Sequence, residues 1–316
     1  MLYLSVVICA YTLERWPDLQ AAVLSAQNQS RPVDQVVVVV DHNEELLSRC
    51  SATFGSALVV PNAGPRGLSA GRNTGVAVST GDVVAFLDDD AYVDPRWAEL
   101  LLDAYVDESV VGVGGQVLPN WRAPRPDWFP DEFLWVVGCS YRGQPTERAE
   151  VRNAIGANMS FRRAVLEGIG GFDLSIGRVG GDAAGCEETE LSVRAVSLRP
   201  GSRIMLEPAA IAHHAVTMER TTRAYFRNRC RAEGRSKAIV SSLAGPRKAL
   251  ASERTYATRT LPTGVLMGLG EALRGKAAGA RRALAMCEGF ALTAGAYARR
   301  RVGDLRLQVG AASGRG

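Results

Sequence analysis

Three adjacent carboxylates, Asp88, Asp89 and Asp90, close the apolar run GDVVAFLDDD at 81–90. Like charges this close repel, so such a run calls for a cation or hydrogen-bond donors nearby. On a strand end alternate residues point the same way, which aims Asp88 and Asp90 at one ion. Hard oxygen ligands of this kind suit Mg2+ or Mn2+, commonly together with substrate phosphates. The plainer alternative is a solvated acidic turn. A second acidic group, Glu187, Glu188 and Glu190, opens the segment CEETELSVRAVSL at 186–198. Acids in a first helical turn complement the helix dipole. The functional alternative is that one of them projects into a cleft as a general base, with the Gly-rich lead GRVGGDAAG as a mobile approach.

His213 and His214 end the apolar run RIMLEPAAIAHH. Neighbours on a strand face opposite ways, so at most one enters a cleft, and it becomes a metal ligand only if the carboxylates lie nearby. Residues 62–73, NAGPRGLSAGRN, read as a Gly-rich turn opening a helix, whose free N–H groups suit an anion. The spacing is neither G-x-G-x-x-G nor G-x-x-x-x-G-K-[ST], so dinucleotide and P-loop readings both fail. Arg72 is either a phosphate contact or a solvated side chain. Trp121, Trp128, Phe129 and Trp135 fall in a Pro-rich stretch. Their rings either stack on an acceptor or form a small separate core under a long loop.

The elements that position these residues alternate. Strands are expected at 3–10, 33–41, 57–62, 81–90 and 110–118, all continuously apolar. Helices are expected after Pro17, over 68–79, and after Pro95, with a polar connection between 41 and 57. Continuously apolar strands alternating with helices predict a mostly parallel, Rossmann-like central sheet covered by helices. In such sheets ligands bind beyond the C-terminal strand ends, where Asp41 and Asp88–Asp90 fall. Residues 119–150 predict an irregular excursion. A strand and helix follow over 156–173, then a helix at 186–198 and a strand at 203–214. From 217 onward the pattern is helical, with breaks at Gly245-Pro246 and near Pro262, and a frayed end over 309–316.

The chain has 316 residues, 47% apolar and 22% charged, which excludes a disordered or collagen-like polypeptide. Residues 1–216 carry 17 Lys and Arg against 27 Asp and Glu, whereas 217–316 carry 20 against 6. This divides the chain into an acidic body, 1–216, and a basic extension, 217–316, with different partners. Six scattered cysteines without a C-x-x-C pair argue against a disulfide scaffold or Cys-type zinc site, and for a reducing compartment. No signal peptide or spanning segment is expected.

Taken together, six segments in order resemble glycosyltransferase family 2, of the bacterial cell-envelope and polysaccharide type. They are SVVICAYTLERWPDL, VVVVVDHN, NAGPRGLSAGRNTGVAVSTGDVVAFLDDDAYVDP, GANMSFRR, GIGGFD and EETELSVR, spread over roughly residues 3–215. The family's Tyr-Asn dipeptide stands here as Tyr11-Thr12, and its Glu-Asp pair as Glu187-Glu188. The resemblance implies a GT-A fold with a C-terminal helical extension. It implies an inverting, metal-dependent transfer of sugar from a nucleoside diphosphate donor to a hydroxyl of a glycan or lipid-linked glycan. By position it implies that Ala10, Tyr11, Glu14, Asp41, Arg72, Asn73, Asp88 and Asp89 bind the nucleotide sugar. Asp88, Asp90 and His214 would hold Mg2+ or Mn2+. Glu188 is the implied base, with Glu187 as the alternative. Asn158, Trp135, Gly171, Phe172 and Asp173 are placed on the acceptor side.

Two rivals use the same features. A nucleotidyltransferase of related fold would share the acidic metal site, but the text after the first strand, CAYTLERWPDL, lacks its Gly- and Lys-containing loop. A non-catalytic sugar-nucleotide-binding protein would not need both acidic groups. The basic extension reads as a solvated helical surface or as a contact with an anionic membrane through segments such as 262–301, and no nucleic-acid motif is present. The expected location is cytoplasmic, peripheral on the inner face of the cell membrane.

Overall fold

The computed structural model describes residues 2–176, 185–244 and 251–313. Four strands build the first half of a nine-stranded sheet: β1 (Leu4–Ala10), β2 (Gln35–Val40), β3 (Leu58–Pro61) and β4 (Val83–Asp88). They pair in parallel in the order β3-β2-β1-β4, as their β-branched runs predict. The order continues through β8 (Asn158–Arg162), β6 (Val110–Trp121), β9 (Arg203–Val216) and β5 (Ala91–Val93), and β7 (Ala149–Val151) pairs with β9.

The far half departs from the mostly parallel expectation. β8 runs antiparallel to both β4 and β6, and β5 and β7 run antiparallel to β9. No crossover helix separates β6 from β8, so the chain returns from the edge where β6 ends, and a direct return is antiparallel. The sheet is therefore mixed. The separation also brings β9 alongside β5, which places His214 opposite Ala91, just past the Asp88–Asp90 run.

Helices cover both faces. α1 (Trp16–Gln27) and α4 (Trp97–Asp103) pack on one side over Val38, Leu87 and the fully buried Trp97. α3 (Leu68–Val78), α5 (Arg163–Gly168) and α6 (Glu187–Leu198) pack on the other over Val7, Phe86 and Leu191. The polar connection expected after β2 is instead α2 (Glu44–Thr53). Asn43 caps it, its Oδ1 accepting from the Leu46 N–H at 3.0 Å, and only Leu46 and Cys50 are buried, which leaves little apolar periodicity to read.

α3 lies close to β1 because Gly75 has no side chain. A Cβ there would meet Val7 Cγ1 at 2.3 Å. Gly75→Ala should therefore destabilise the fold by about 1–3 kcal/mol through overpacking, read as a lowered denaturation midpoint with an unchanged slope.

Residues beyond 216 form α7 (Arg223–Ala244), α8 (Ala251–Thr255), α9 (Leu261–Leu273) and α10 (Ala277–Ser313), with a π-helical turn at Tyr256–Thr260. They do not stand apart from the body. A third core joins Phe129, Phe133 and Val117 to Phe226, Leu261 and Met286. The Pro-rich excursion supplies half of it through a 3-10 segment, Asp131–Val137. All six cysteines are free. The break expected at Gly245-Pro246 lies outside the described residues.

Candidate active site

The carboxyl ends of β1, β2 and β4 open on one side of the sheet, and the polar groups gather there. β4 ends at Asp88, and Asp89 and Asp90 form the turn into β5. Asp88, Asp90 and His214 each present a ligand atom within 4.8 Å of the others. The turn, not strand alternation, swings Asp90 back toward His214, whose Nε2 lies 3.1 Å from its carboxylate. His213 faces the other way, stacked on Tyr92 and bonded to Asp94 at 2.9 Å.

Three arginines meet the acidic run, none of them evident from local spacing except Arg72. Arg15 reaches Asp89 at 2.8 Å and Asp90 at 3.3 Å. Arg220 reaches Asp90 at 3.1 Å and His214 Nε2 at 3.3 Å. Burial works against a charge on Asp90, but His214, Arg220 and Arg15 outweigh it and hold its carboxyl well below the usual range. Burial and the Asp90 charge push Asp89 up to about 7, against the pull of Arg15. Burial disfavours the His214 imidazolium, yet Asp90 outweighs that and holds it up to about 10.

The donor set fits a hard divalent cation. Two carboxylates and one imbedded imidazole suit Mn2+ or Mg2+. Asp89 Oδ2 is buried with no hydrogen-bond partner among the described residues. The guanidiniums already on these acids show that the site is arranged to meet positive charge.

The second acidic group sits at the start of α6. Glu190 is an intrahelical partner of Arg194 at 2.5 Å and stays out of the chemistry. Glu187 is held by Arg72 at 3.1 Å, and Arg72 also reaches Asp88 at 3.4 Å, so one buried arginine ties the two acidic groups together. Glu188 has no ion pair or side-chain hydrogen bond among the described residues, and burial together with the Glu187 charge pushes it up to about 7. A carboxyl poised near neutrality beside a cleft is what a general base requires.

That cleft is a chamber of about 710 Å³ between the sheet ends and the C-terminal helices. Asp88, Glu187, Glu188 and His214 lie on its floor, and Trp135, Tyr141, Tyr256, Phe290 and Tyr297 line its upper walls. Trp135 donates to the Tyr256 hydroxyl at 3.1 Å. The excursion aromatics thus divide: Trp121, Trp128 and Phe129 belong to the third core, whereas Trp135 also faces the chamber.

A partly buried ionic chain belongs to this wall. Lys237 on α7 pairs with Glu233 at 2.9 Å and Glu253 at 2.6 Å, and Glu253 pairs with Arg152 at 2.6 Å. α7 also holds the entry to α6. The Gly185 N–H donates to Ser236 Oγ at 3.3 Å, and Cys186, in the left-handed region at φ 74°, donates to Glu233 at 3.8 Å. Only the Glu233–Lys237 pair, four residues apart on α7, has a spacing signal; Glu253 and Arg152 come from two other segments. The Gly-rich lead to α6, other than Gly185, lies outside the described residues.

The residues assigned to the nucleotide lie at the strand ends beside the chamber. Ala10 ends β1 and is buried, Tyr11 is half-exposed with Arg15 over its ring, and Glu14 follows in a short turn capped by Thr12. Asp41 accepts from Asn62 at 2.7 Å and from the Gly67 N–H at 3.0 Å, which fixes the turn into α3. Asn73 is engaged with the backbone of Phe172 on both sides, through its Nδ2 at 2.9 Å and Oδ1 at 2.8 Å. Four residues expected on the acceptor side have structural partners of their own. Asn158 is fully buried, accepting from Trp97 Nε1 at 2.8 Å and donating to the carbonyls of Gln116 and Ala210. Phe172 is buried edge-on against Phe86, Gly171 takes a left-handed turn beside Asn73, and Asp173 caps its own turn through Ser175. None of the four lines the chamber: Asn158 ties β8 to α4, and Phe172 meets Asn73 of α3.

Residues 5–170 match the family profile described as Glycosyl transferase family 2. The chain belongs to glycosyltransferase family 2. Its relatives include the glucosyl-dolichyl phosphate glucuronosyltransferase of Haloferax volcanii, 37% identical over 243 residues, covering 76% of this chain and 77% of the relative. They also include the succinoglycan biosynthesis protein ExoM of Rhizobium meliloti, 26% identical over 237 residues and covering 72% of each. The mannosyltransferase PcManGT of Pyrobaculum calidifontis, solved with GDP-Man and Mn2+, superposes with a TM-score of 0.59 at 18% identity over 96% of this chain and 88% of that one. GalNAc-T7, solved with UDP, GalNAc and Mn2+, gives 0.53 at 17% identity over 82% of this chain and 56% of that one. The fold is GT-A, and this family 2 member is a glycosyltransferase whose Asp88, Asp90 and His214 group fits Mg2+ or Mn2+.

Proposed function

We propose that the protein moves a sugar from a nucleoside diphosphate donor to a hydroxyl of a glycan or lipid-linked glycan, inverting the anomeric carbon. The observation that carries this is the chamber itself: Glu188 and the Asp88–His214 pair share one floor, and aromatic walls rise over them. Glu188 takes the proton of the acceptor hydroxyl on its carboxylate as that oxygen bonds to the anomeric carbon. The bond from that carbon to the diphosphate oxygen breaks, and the nucleoside diphosphate leaves from the opposite face. Asp88, Asp90 and His214 hold the divalent cation, which when bound neutralises charge on the leaving diphosphate. Arg72 keeps Glu187 and Asp88 in fixed relation, so the spacing between base and leaving-group side is set by a rigid contact. Ala10, Tyr11, Glu14, Asp41 and Asp89 bound the nucleotide side.

Residues 1–216 then serve as the nucleotide-sugar unit, and 217–316 as a basic helical extension that closes the acceptor side. The Haloferax relative is named for a dolichyl-phosphate-linked substrate, which favours a lipid-linked acceptor here. No helix among the described residues is long and apolar enough to cross a membrane. We place the protein peripherally on the cytoplasmic face of the cell membrane, with the basic extension toward anionic lipid.

Thermal shift and donor hydrolysis across a panel of nucleotide sugars, with Mn2+ or Mg2+, test the reading. One donor should raise the melting temperature only with metal and be slowly hydrolysed. Asp90→Asn should abolish the metal-dependent part and weaken Mn2+ binding by calorimetry at least tenfold (about 1.4 kcal/mol). Release of pyrophosphate from a nucleoside triphosphate and a sugar phosphate would overturn it in favour of nucleotidyl transfer.

A further inference from the structure

The C-terminal hairpin carries apolar surface that its own packing does not use. Leu273 is 90% exposed, Leu266 69%, Leu284 68% and Leu269 47%. Leu266, Leu269 and Leu273 fall three and four residues apart, so they form one stripe along α9. The opposite face of α9, with Gly264 and Gly268, is already packed against α10. A Cβ on Gly268 would meet the Gly279 carbonyl at 2.7 Å, and one on Gly279 would meet the Gly268 carbonyl at 2.4 Å. Backbones this close pack through small residues, and the leucines are left pointing outward.

The charges around the stripe are of one sign. Arg274 and Lys276 form the turn between α9 and α10, both exposed, and neither makes an ion pair with a described residue. The two acids nearest the turn are both neutralised, Glu271 by Arg282 and Glu288 by Arg223 and Arg227. A short apolar stripe bordered by cations matches an anionic lipid surface in both hydrophobicity and charge. At 13 residues, α9 is too short to span a bilayer core, which takes about 20, so it would lie in the interface. On α10, Phe290 is 47% exposed and lines the chamber, one turn from Thr293 and two from Tyr297.

We propose that the α9–α10 hairpin is a wedge that inserts its leucine stripe into the outer acyl region of an anionic bilayer, with Arg274 and Lys276 at the headgroups. This deepens the membrane contact proposed above by replacing a diffuse basic surface with a defined apolar one, and it does not depend on the transfer reaction.

Co-sedimentation of the full chain with vesicles of phosphatidylglycerol and phosphatidylcholine tests this. Leu269→Glu/Leu273→Glu should lose vesicle binding by about tenfold or more per leucine, at low and at high salt, with an unchanged melting temperature. Arg274→Gln/Lys276→Gln should lose about fivefold per charge, at low salt only. Unchanged binding by the leucine pair overturns the wedge, because the contact would then be electrostatic alone. So does a wild type that ignores vesicles but sediments as a dimer, made monomeric by the same pair, because a second copy would then cover the stripe. Donor hydrolysis in solution, measured in parallel, should be the same in both variants and the wild type. Its absence throughout would overturn the transferase reading and leave the vesicle result intact.

Discussion

Glu188→Gln is expected to lower turnover by about 10²–10⁴-fold while donor binding is retained, because only the proton transfer is removed. The amide keeps the size and polarity of the side chain, so the chamber should hold the donor as before. The pH profile supplies a second readout. Burial and the neighbouring Glu187 charge hold Glu188 up to about 7. A base must be deprotonated to act, so the rate should climb as pH rises through about 7. Glu187→Gln removes a like charge, lowers the pKa of Glu188 and shifts that limb toward acid. Full turnover in Glu188→Gln with a dead Glu187→Gln would transfer the role to Glu187.

The second large effect is on stability. Lys237→Met should cost about 1–3 kcal/mol, measured by denaturant unfolding at neutral pH, because it leaves the partly buried Glu233 and Glu253 with too little positive charge. The sign of its pH dependence follows from Glu253. Burial opposes the charge of Glu253, but Lys237 and then Arg152 outweigh it and hold the carboxyl down to about 2, below its ordinary 4.5. A depressed carboxyl stabilises the fold above its ordinary value and loses that contribution as pH falls toward the folded one. The gap between wild type and Lys237→Met should therefore narrow between about pH 4.5 and 2. A gap that stays constant would mean that the methionine costs packing and not charge. Adding Glu253→Gln to Lys237→Met should recover part of the loss at neutral pH.

What the sequence exposes and what it conceals differ by range. The parallel half of the sheet is legible because β1, β2 and β4 are apolar runs, the last two leading into Asp41 and Asp88, and in a parallel sheet those ends share one edge. Asp88 and Asp90 share one such run, whereas His214 joins them in the sequence only through the family resemblance. The antiparallel return of β8 was not legible, since a short apolar strand carries no mark of its direction. The partners of Asn158, Trp97 and two carbonyls, were equally hidden, since each lies on another strand or helix. Arg15 and Arg220 were invisible because their partners are 74 and 130 residues away in sequence. Helix α2 was missed although Asn43 and the two glutamates after it are a starting signal, because α2 buries too little to show a period.

The hold that α7 keeps on Gly185 and Cys186 has a consequence for how such enzymes diversify. Residues 5–170 match the family profile, whereas Tyr256, Phe290 and Tyr297 of the aromatic wall lie beyond it. Grafting a different tail onto the same front half would be a simple way to change acceptors. Here the graft would also release the first turn of α6, because Ser236 and Glu233 hold it from the tail side. A chimera exchanged at residue 217 should therefore bind donor and stall. One that carries 185–198 along with its own tail should turn over, so the unit of inheritance for acceptor choice includes the base as well as the wall it faces.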